Sequence, residues 1–523
     1  MPPRLLLHVF ALVLFALLTG CASLPSGVER PASRARTDVA DTRLAAVAAA
    51  SVRAEDPHLS GLRLLPAGDQ AFEARIALAR AAQKSIDAQY YQIADDASGR
   101  QFLHALREAA DRGVRVRVLV DDLHAAGQDA LLAGFAAHPG VEVRMFNPLA
   151  VREGSVGARV FFSMNEFSRI NRRMHNKLMV ADGAFAISGG RNVADEYFGR
   201  SEPANFIDMD LLCAGPVVPE LAGVFDAYWN SPHAYPIESL AGAAGMDGAR
   251  RHFEAAMTLV PEALAPAAAR DSLGQPTVGP QLADGRVALS MAAVRVIADS
   301  PRKADADNES LDDGVVMNGN LDLMQSAHDE VLIASPYFIP GRRTMALLQQ
   351  AADQQVHVSI MTNSLATTDE PMAHFGYARY RRALLERRVA LYELMPGDDE
   401  LEPHADGPHG SLGRLHAKLA VVDRRWLSIG SMNMDRRSAH SNTEMSLIVD
   451  SPVLAAQVAG LLNNGRLPRS YRVRSAEGRG GIEWVAQRGG GSEALVLRRE
   501  PHAKPVRKLG LQVLAALVNE DLL

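Results

Sequence analysis

Two stretches of the chain carry the same chemically active residues at the same spacing. Residues 174–192 read MHNKLMVADGAFAISGGRN, and residues 415–433 read LHAKLAVVDRRWLSIGSMN. The matching residues are His175 and His416, Lys177 and Lys418, Asp182 and Asp423, Gly189 and Gly430, and Asn192 and Asn433. An imidazole beside a fixed cation suits phosphate chemistry, because the cation holds anionic oxygens while the ring attacks phosphorus or transfers a proton.

Each motif is predicted to lie on a strand followed by a turn. Side chains two residues apart in a strand share a face, so the His and the Lys of each copy would project together. Asp182 and Asp423 would then open hairpin turns. One copy supplies one imidazole, whereas a double displacement at a phosphodiester needs both a nucleophile and an acid. The two copies are therefore expected to face each other across one site.

Two other interpretations of the motif compete with this one. An isolated His-x-Lys is also typical of a core histidine beside a surface lysine, and the repetition argues against that interpretation. Zinc is the second alternative, because His and Asp are zinc ligands. A Lys close to each His would place a cation beside the metal, and the sequence has no cysteine cluster and no HExxH motif. We therefore expect no metal ion and no organic cofactor.

The segments around the two motifs follow one order. Buried, strand-like runs in the first half lie at residues 85–91, 114–120, 141–146 and 206–212. They alternate with helical patterns, which is typical of an α/β sandwich. Landmarks recur after 245 residues (Ala82 and Ala327), 242 residues (Ala109 and Ala351) and, for the two histidines, 241 residues. This constancy predicts two duplicated α/β/α sandwich lobes related by a pseudo-twofold axis, with the active site at their interface.

The doubled H-x-K-x4-D motif, followed in each copy by G-(S/G)-x-N, resembles the phospholipase D superfamily. Further short matches are residues 171–174 (NRRM), 363–365 (NSL), His374, 376–377 (GY) and 442–445 (NTEM). With these, the chain is similar to the bacterial cardiolipin synthases, and most of all to their C-type branch, over roughly residues 60–510. The resemblance implies a phospholipase D-like fold and transfer of a phosphatidyl group without a cofactor.

The resemblance also implies roles for the motif residues. His175 attacks the phosphodiester and becomes a covalent phosphohistidine, while His416 protonates the departing alcohol and then deprotonates the incoming one. The non-bridging oxygens are held by Lys177, Lys418, Asn192, Asn433 and Ser431. Asp182 and Asp423 complete the catalytic motifs as turn and orientation residues rather than acids. Gly190 stands where the superfamily often has Ser, so the first copy is expected to lack one hydroxyl donor to phosphate.

Two acids are expected to orient the imidazoles. In the family, an acid some thirty residues after each His hydrogen-bonds the far ring nitrogen and sets the tautomer. By this resemblance Asp208 serves His175, with Asp210 as the alternative, and Glu444 serves His416. Tyr91 and Tyr337, at strand ends, are candidates to touch a head group, although a buried strand tyrosine is the alternative interpretation.

The N-terminus resembles a bacterial lipoprotein signal. Arg4 precedes an apolar run over residues 5–18, which is too short to span a bilayer and suits a signal-peptide core. The run ends in LTGC, a lipobox-like sequence in which Cys21 would be acylated; an ordinary buried cysteine is the alternative. Cys213 would then lack a disulfide partner. The resemblance implies a lipid-anchored protein facing the periplasm, with Ala22 slightly favouring the outer over the inner membrane.

The 523 residues, 47% of them hydrophobic, exceed one ordinary domain. The predicted units are a signal peptide (1–20), a tether that includes one helix (21–55), a first lobe (56–235), a helical connector and loop (236–315), a second lobe (316–475) and a C-terminal extension (476–523). No chemistry is assigned to the connector, whose acidic run at 305–313 is expected to face solvent. The apolar stretch at 506–518 suits either a membrane-surface helix or packing on its own lobe.

The net charge of −6 argues against a protein that binds nucleic acid mainly through phosphate contacts. We expect membrane phospholipids as partners, with phosphatidylglycerol as a substrate and phosphatidylethanolamine as an alternative donor. A second phosphatidylglycerol as acceptor gives cardiolipin, whereas water gives phospholipase D-type hydrolysis, and the residues do not choose between these acceptors. A nuclease and a catalytically inactive pair of lipid-binding lobes are further alternatives, which net acidity and two complete motifs disfavour. The oligomeric state is left open.

Overall fold

The computed structural model of the protein describes residues 23–52, 56–241, 246–260, 267–305, 314–396, 411–466, 469–476, 481–486 and 495–501. The predicted signal peptide, Cys21, most of the acidic run at 305–313 and the apolar stretch at 506–518 lie outside these ranges. Within them, no helix has both the length and the apolar character needed to cross a bilayer.

The elements are numbered in chain order. The strands are β1 Ser60–Leu65, β2 Ser85–Tyr90, β3 Arg115–Asp121, β4 Val141–Phe146, β5 Leu178–Ala181, β6 Phe185–Gly189, β7 Ala204–Ile207, β8 Asp210–Ala214, β9 Ala234–Pro236, β10 Ser290–Ala298, β11 Glu330–Ala334, β12 His357–Asn363, β13 Ala390–Leu394, β14 Leu412–Leu415, β15 Leu419–Val422, β16 Trp426–Gly430, β17 Met445–Asp450, β18 Ser470–Ser475, β19 Ile482–Ala486 and β20 Leu495–Leu497. The α-helices are α1 Arg43–Ser51, α2 Gly68–Ala81, α3 Ala97–Asp111, α4 Asp129–Ala136, α5 Val156–Phe162, α6 Phe167–Ile170, α7 Val217–Trp229, α8 Ile237–Ala241, α9 Met246–Met257, α10 Val278–Ala283, α11 Val315–Gln325, α12 Arg342–Asp353, α13 Pro371–Ala378, α14 Arg381–Glu386, α15 Arg436–His440 and α16 Pro452–Gly460.

The two lobes repeat one sheet topology. In the first lobe the strand order β4-β3-β2-β5-β6-β8 places three parallel strands beside three antiparallel ones. The order β13-β12-β11-β15-β16-β17 reproduces it in the second lobe, with the same parallel and antiparallel pairs. Helices connect the parallel strands, as parallel pairing requires. The prediction of a duplicated α/β fold is confirmed.

Apolar side chains fill three clusters. One lies under the helices of the first lobe and another under those of the second. The cluster between them contains residues from both lobes, among them Leu119 and Leu211 from the first and Leu419 and Leu427 from the second. The lobes therefore share a continuous apolar interface, which fixes how their motif-bearing strands face each other.

The connector differs from the helical segment expected at residues 236–315. It contains β10, whose first residues pair with β1 of the first lobe and whose remaining residues pair with β17 of the second. The sequence SMAAVRVIA of this strand is rich in small and β-branched residues, which favours extended structure. One strand thus joins the two sheets edge to edge.

The stretch expected to be a tether is docked along the first lobe in its described part. Arg30 donates to the carbonyl of Ala234 (3.1 Å), and the backbone N–H of Ala35 donates to Asp226 (2.8 Å). Helix α1, which the prediction included, follows and buries Leu44 and Val47 in the first core. The lobe therefore extends N-terminally beyond the predicted boundary at residue 56.

Candidate active site

Asp208 and His416 meet because the strands before them pair across the lobes. Strand β7 of the first lobe runs parallel to β14 of the second, with Ile207 opposite Leu415. The N–H of His416 donates to the Ile207 carbonyl (2.8 Å). The next residue of each strand is therefore carried to the same point, and His416 Nδ1 lies 2.6 Å from Asp208 Oδ2.

His175 is placed by a second parallel bridge between the lobes. Met174 is paired with Thr443. The N–H of His175 donates to the Thr443 carbonyl, and the N–H of Thr443 donates to the Arg173 carbonyl, both at 2.9 Å. The bridge brings His175 Nδ1 within 2.9 Å of Glu444 Oε2. The backbone of Glu444 is held in turn by Asp299, which accepts its N–H (3.1 Å).

The predicted pairing of acids with histidines is wrong in its partners. Asp208 contacts His416 instead of His175, and Glu444 contacts His175 instead of His416. The physical reason is the pair of bridges, which join each acid-bearing segment to the motif of the opposite lobe. Asp210, the alternative partner for His175, pairs instead with Arg75 (2.9 Å).

The two carboxylates differ in charge state. Burial opposes ionisation of Asp208, but the contact with His416 and the charge of Lys418 outweigh it and lower the pKa of Asp208 to about 2. Burial raises the pKa of Glu444 to about 7, against the charge of Lys177 and a hydrogen bond from Ser431. Asp208 is therefore ionised at neutral pH, whereas Glu444 is poised between its two forms.

The two imidazoles are almost fully buried. Burial, followed by the charges of Lys177, Lys418 and His416, holds the pKa of His175 well below its usual range. Burial and Lys418 also lower the pKa of His416, while Asp208 opposes that shift. Glu444 contacts both His175 of the first motif and Ser431 of the second, and Asp208 contacts His416 of the second motif beside Gly190 of the first. The two motifs therefore adjoin in one cleft between the lobes.

Both motif lysines are buried and fold back on their own histidines. Lys177 Nζ donates to the His175 carbonyl (2.7 Å), and Lys418 Nζ donates to the His416 carbonyl (2.5 Å). Burial lowers the pKa of Lys418 to about 8, although Asp208 and Glu444 oppose the shift. Burial likewise holds the pKa of Lys177 well below its usual range, although Glu444 opposes the shift. An anionic phosphate beside the two lysines would favour their charged forms.

Asp182 and Asp423 bind backbone outside the cleft. Asp182 is fully buried and accepts the N–H groups of residues 83, 84 and 85 at 2.7–2.9 Å. Asp423 accepts those of residues 328, 329 and 330, each at 2.9 Å. Both have positive φ, 47° and 50°, a conformation that Asp tolerates better than most residues. Their interpretation as turn and orientation residues agrees with this geometry.

Gly190 and Ser431 occupy equivalent positions with different contacts. A Cβ at Gly190 would lie 2.1 Å from Asp208 Oδ1. The Ser431 hydroxyl donates to Glu444 Oε2 at 2.5 Å. The absence of a side chain at 190 thus makes room for Asp208, and the one hydroxyl proton of Ser431 is directed at a carboxylate.

Aromatic residues that the sequence motifs did not indicate surround the rings. The ring of Tyr197 makes an edge contact with His416 (centroids 5.1 Å apart), and Phe206 lies 4.7 Å from the same imidazole. Asn192 donates its amide N–H to the Tyr197 hydroxyl (2.8 Å). The Asn433 amide oxygen has no hydrogen-bond partner among the residues that the structure describes. Tyr197 carries no signal in the motif, because it lies in a 3₁₀ turn between strands.

Both strand-end tyrosines are half-buried near the cleft. Tyr91 makes an edge contact with His175 (5.0 Å), and its hydroxyl lies 3.0 Å from His124 Nε2. The Tyr337 hydroxyl donates to Asp369 (2.7 Å). Tyr91 thus lies beside the His175 ring and extends the polar contacts to His124. In the described ranges, no group of three or more His, Cys, Asp or Glu side chains is arranged to hold a metal ion.

Comparison with known proteins places these features in one family. The family model described as "Cardiolipin synthase, PLD-like domain" matches residues 76–229 and 321–464. Cardiolipin synthase C of Escherichia coli is 34% identical over 471 residues, which are 90% of this chain and 97% of that protein. Cardiolipin synthase 2 of Staphylococcus epidermidis is 28% identical, over 78% of this chain and 68% of that protein.

A solved structure agrees with the fold. The phosphatidylserine synthase of Haemophilus influenzae superimposes with a TM-score of 0.56 at 14% identity, covering 90% of this chain and 96% of that one. At this identity the likeness concerns the fold alone. The family match instead spans both lobes and includes both His-Lys motifs. The chain belongs to the cardiolipin synthase family with phospholipase D-like domains.

Proposed function

We propose that the protein synthesises cardiolipin by transferring a phosphatidyl group from phosphatidylglycerol, or another phospholipid, to a second phosphatidylglycerol. The observation that carries this proposal is the pair of buried imidazoles in one cleft, each held by a carboxylate of the opposite lobe and flanked by a lysine. This arrangement supplies a nucleophile, an acid and the positive charge that a phosphodiester needs. The family membership supports a phosphatidyltransferase.

His175 is the proposed nucleophile. Its low pKa keeps the ring neutral, and a Glu444 carboxylate accepting the Nδ1 proton leaves the Nε2 lone pair free to attack. The new Nε2–P bond replaces the bond between phosphorus and the alcohol oxygen of the donor. The product of this step is a phosphatidyl group carried on His175.

His416 is the proposed acid and base. The ionised Asp208, 2.6 Å from its Nδ1, stabilises the imidazolium form that must give a proton to the departing alcohol. Neutral His416 then takes the hydroxyl proton of the acceptor, whose oxygen attacks phosphorus and releases His175. Lys177, Lys418, Asn192 and Asn433 would hold the non-bridging oxygens through both steps.

Ser431 has a different proposed role from phosphate binding. Because its hydroxyl donates to Glu444, it fixes the carboxylate that orients His175. Gly190 serves the other half of the site by leaving space for Asp208. The two positions are proposed to orient acids instead of binding substrate.

The proposed location is a bacterial membrane. The lipobox-like sequence at Cys21 supports a lipid anchor on the periplasmic side, and Ala22 slightly favours the outer membrane. Incorporation of radiolabelled palmitate tests this: wild type should take up the label and Cys21→Ser should not. Label in the Ser variant would contradict acylation at this residue.

A product assay tests the reaction. Purified protein with phosphatidylglycerol, with or without phosphatidylethanolamine, should yield cardiolipin. Phosphatidic acid as the only product would instead establish hydrolysis, the second candidate, since water can replace the lipid acceptor at the same base. In His416→Ala, mass spectrometry should find any trapped phosphatidyl group on His175. The matched control is His328→Ala, because His328 is exposed and remote from the cleft.

A further inference from the structure

A group of large apolar side chains faces solvent within one short segment. Phe161 is 70% exposed, Phe162 59%, Met164 50% and Phe167 38%. We call the surface formed by these three phenylalanines and Met164 the aromatic face. Single exposed apolar residues are ordinary, whereas a contiguous apolar surface marks an interaction site.

Helix α5, which carries Phe161 and Phe162, buries a charged side chain and exposes apolar ones, the opposite of an ordinary surface helix. A surface helix usually turns its apolar side to the core and its charges to solvent. In α5, Arg159 is fully buried, with Nη2 2.7 Å from Asp122 Oδ2 and Nε donating to the Val151 carbonyl (3.0 Å). Phe161 and Phe162 occupy the outer side. The buried ion pair therefore holds the rings outward.

The segment is attached directly to the active site. Asn147 donates its amide N–H groups to the carbonyls of Arg169 (2.8 Å) and Arg172 (2.7 Å). The N–H of Met174 donates to Asp121 (2.8 Å), and His175 is the next residue. The chain thus runs from the aromatic face through two anchored turns to the proposed nucleophile.

The N-terminal stretch reaches the same corner of the first lobe. Arg30 donates to the carbonyl of Ala234, and Ala234 is opposite Phe146, the last residue of β4. Asn147, which holds the end of the aromatic segment, follows at once. Cys21 precedes Arg30 by nine residues, a span of at most about 30 Å. An acyl group on Cys21 would therefore enter a bilayer within about 30 Å of the corner that holds the end of the aromatic segment.

We propose that the aromatic face inserts into the interface of a phospholipid bilayer and thereby brings the cleft of His175 to the level of the head groups. Aromatic side chains favour this region of a membrane. The inference rests on the proposed function, because a lipid substrate enters the cleft from a bilayer. The N-terminal stretch at the same corner favours a membrane over a second copy of the chain as the occupant.

Fluorescence tests the insertion. The probe is vesicles of phosphatidylglycerol and phosphatidylethanolamine with brominated acyl chains, added to the purified full chain. In Phe161→Trp the added indole should shift to the blue and be quenched, relative to wild type. In the control Val453→Trp it should not, since Val453 lies on α16 of the other lobe; its 58% exposure makes it a comparable surface position. An unquenched indole at 161, with the control behaving as expected, would overturn the proposal.

Kinetics provide a second test. The double change Phe161→Ser and Phe162→Ser should slow turnover on vesicles by about tenfold or more, because burying one Phe side chain favours partition by roughly that factor. Turnover on monomeric short-chain phosphatidylglycerol should stay within about twofold. The matched control is Val453→Ser. Equal losses on both substrates would contradict a membrane role.

The outcomes separate the two proposals. If wild type makes no cardiolipin from vesicles or monomers, the proposed function fails, while quenching in Phe161→Trp still decides the fate of the aromatic face. If light scattering shows that the double variant loses a dimer, and the indole at 161 is not quenched, the occupant is a second copy and the membrane proposal is overturned.

Discussion

The two imidazoles of the cleft are held by acids of different length and different affinity for a proton. Asp208, shorter and ionised, sits against His416 because residue 190 has no side chain. Glu444, longer and titrating near neutrality, sits against His175 and receives the Ser431 hydroxyl. The difference fits a division of roles in which His416 carries the proton and His175 carries the phosphatidyl group.

The rate should depend on pH through Glu444 and Lys418. Below about pH 7 a protonated Glu444 donates to His175 Nδ1, which places the ring proton on Nε2 and removes the attacking lone pair. Above about pH 8 Lys418 loses its charge and its attraction for phosphate. Deprotonation of His416, whose pKa is lowered, also contributes to the alkaline side. We expect a bell-shaped profile of kcat/KM on monomeric phosphatidylglycerol, with Glu444 responsible for its acid side.

Glu444→Gln provides the control for this profile. The amide does not titrate, so the variant should be slower and should lose the fall in rate on the acid side, while the alkaline side remains. A wild-type rate that stays constant down to about pH 5 would rule out Glu444 as the titrating group.

Gly190→Ser should reduce activity more than Ser431→Gly, which is the opposite substitution at the equivalent position of the second motif. The new Cβ would collide with Asp208 and move it from His416, for which we expect a loss of roughly 100-fold in kcat. Ser431→Gly removes one hydrogen bond to Glu444 and should cost about tenfold or less. Circular dichroism should show both variants folded. Comparable activity of Gly190→Ser and wild type would contradict the steric argument.

At the scale of secondary-structure elements, Asp182 and Asp423 stabilise the fold by binding the backbone just before and at the start of β2 and β11. Replacing Asp182 by Ala removes the carboxylate that accepts three backbone N–H groups, so the free energy of unfolding should fall by about 2 kcal/mol or more in urea titration. Asp423→Ala should lower the free energy of unfolding by less, because the Asp423 side chain is 21% exposed and water can replace part of the hydrogen bonds that it accepts. The opposite order would contradict this account.

Much of the architecture can be predicted from the sequence. The features that cannot be predicted share one physical cause. Repetition of the motif and its flanking strands predicts the duplicated sheets, because each half carries the same alternation of buried strands and helices. The exchange of Asp208 and Glu444 between histidines is not predictable from spacing. It depends on β7 pairing with β14 and on Met174 pairing with Thr443, and short strands of opposite lobes leave no periodic signal.

The structures of the connector and of the N-terminal stretch are also not predictable from local sequence, because they depend on contacts with distant segments. Strand β10 lies in an Ala-rich region whose overall composition favours helix, and its own β-branched residues form a strand by pairing with β1 and β17 on its two halves. The docking of residues 23–42 rests on single contacts with residues about two hundred positions away, such as that of the Arg30 guanidinium with the Ala234 carbonyl, which have no local pattern in the sequence.

At the scale of the whole molecule, one chain supplies both motifs of the proposed site and both of their carboxylates. His175→Ala and His416→Ala should each lose at least about a thousandfold in turnover. An equimolar mixture of the two variants should remain inactive, because each imidazole needs the partner motif of its own chain. The measurement is cardiolipin formation by the mixture, with wild type mixed with His328→Ala as the control. Recovery of activity would mean that motifs of different chains meet.

The crossed carboxylates constrain how such a chain can diverge after its duplication. A pair of identical first halves would offer aspartate to both rings, and a pair of identical second halves would offer glutamate to both. Only the fused sequence supplies one of each. A chimera of the first lobe of one relative and the second lobe of another would combine each histidine with a carboxylate from a different protein. Substitutions in one lobe are therefore constrained by the other, even though each lobe has its own core.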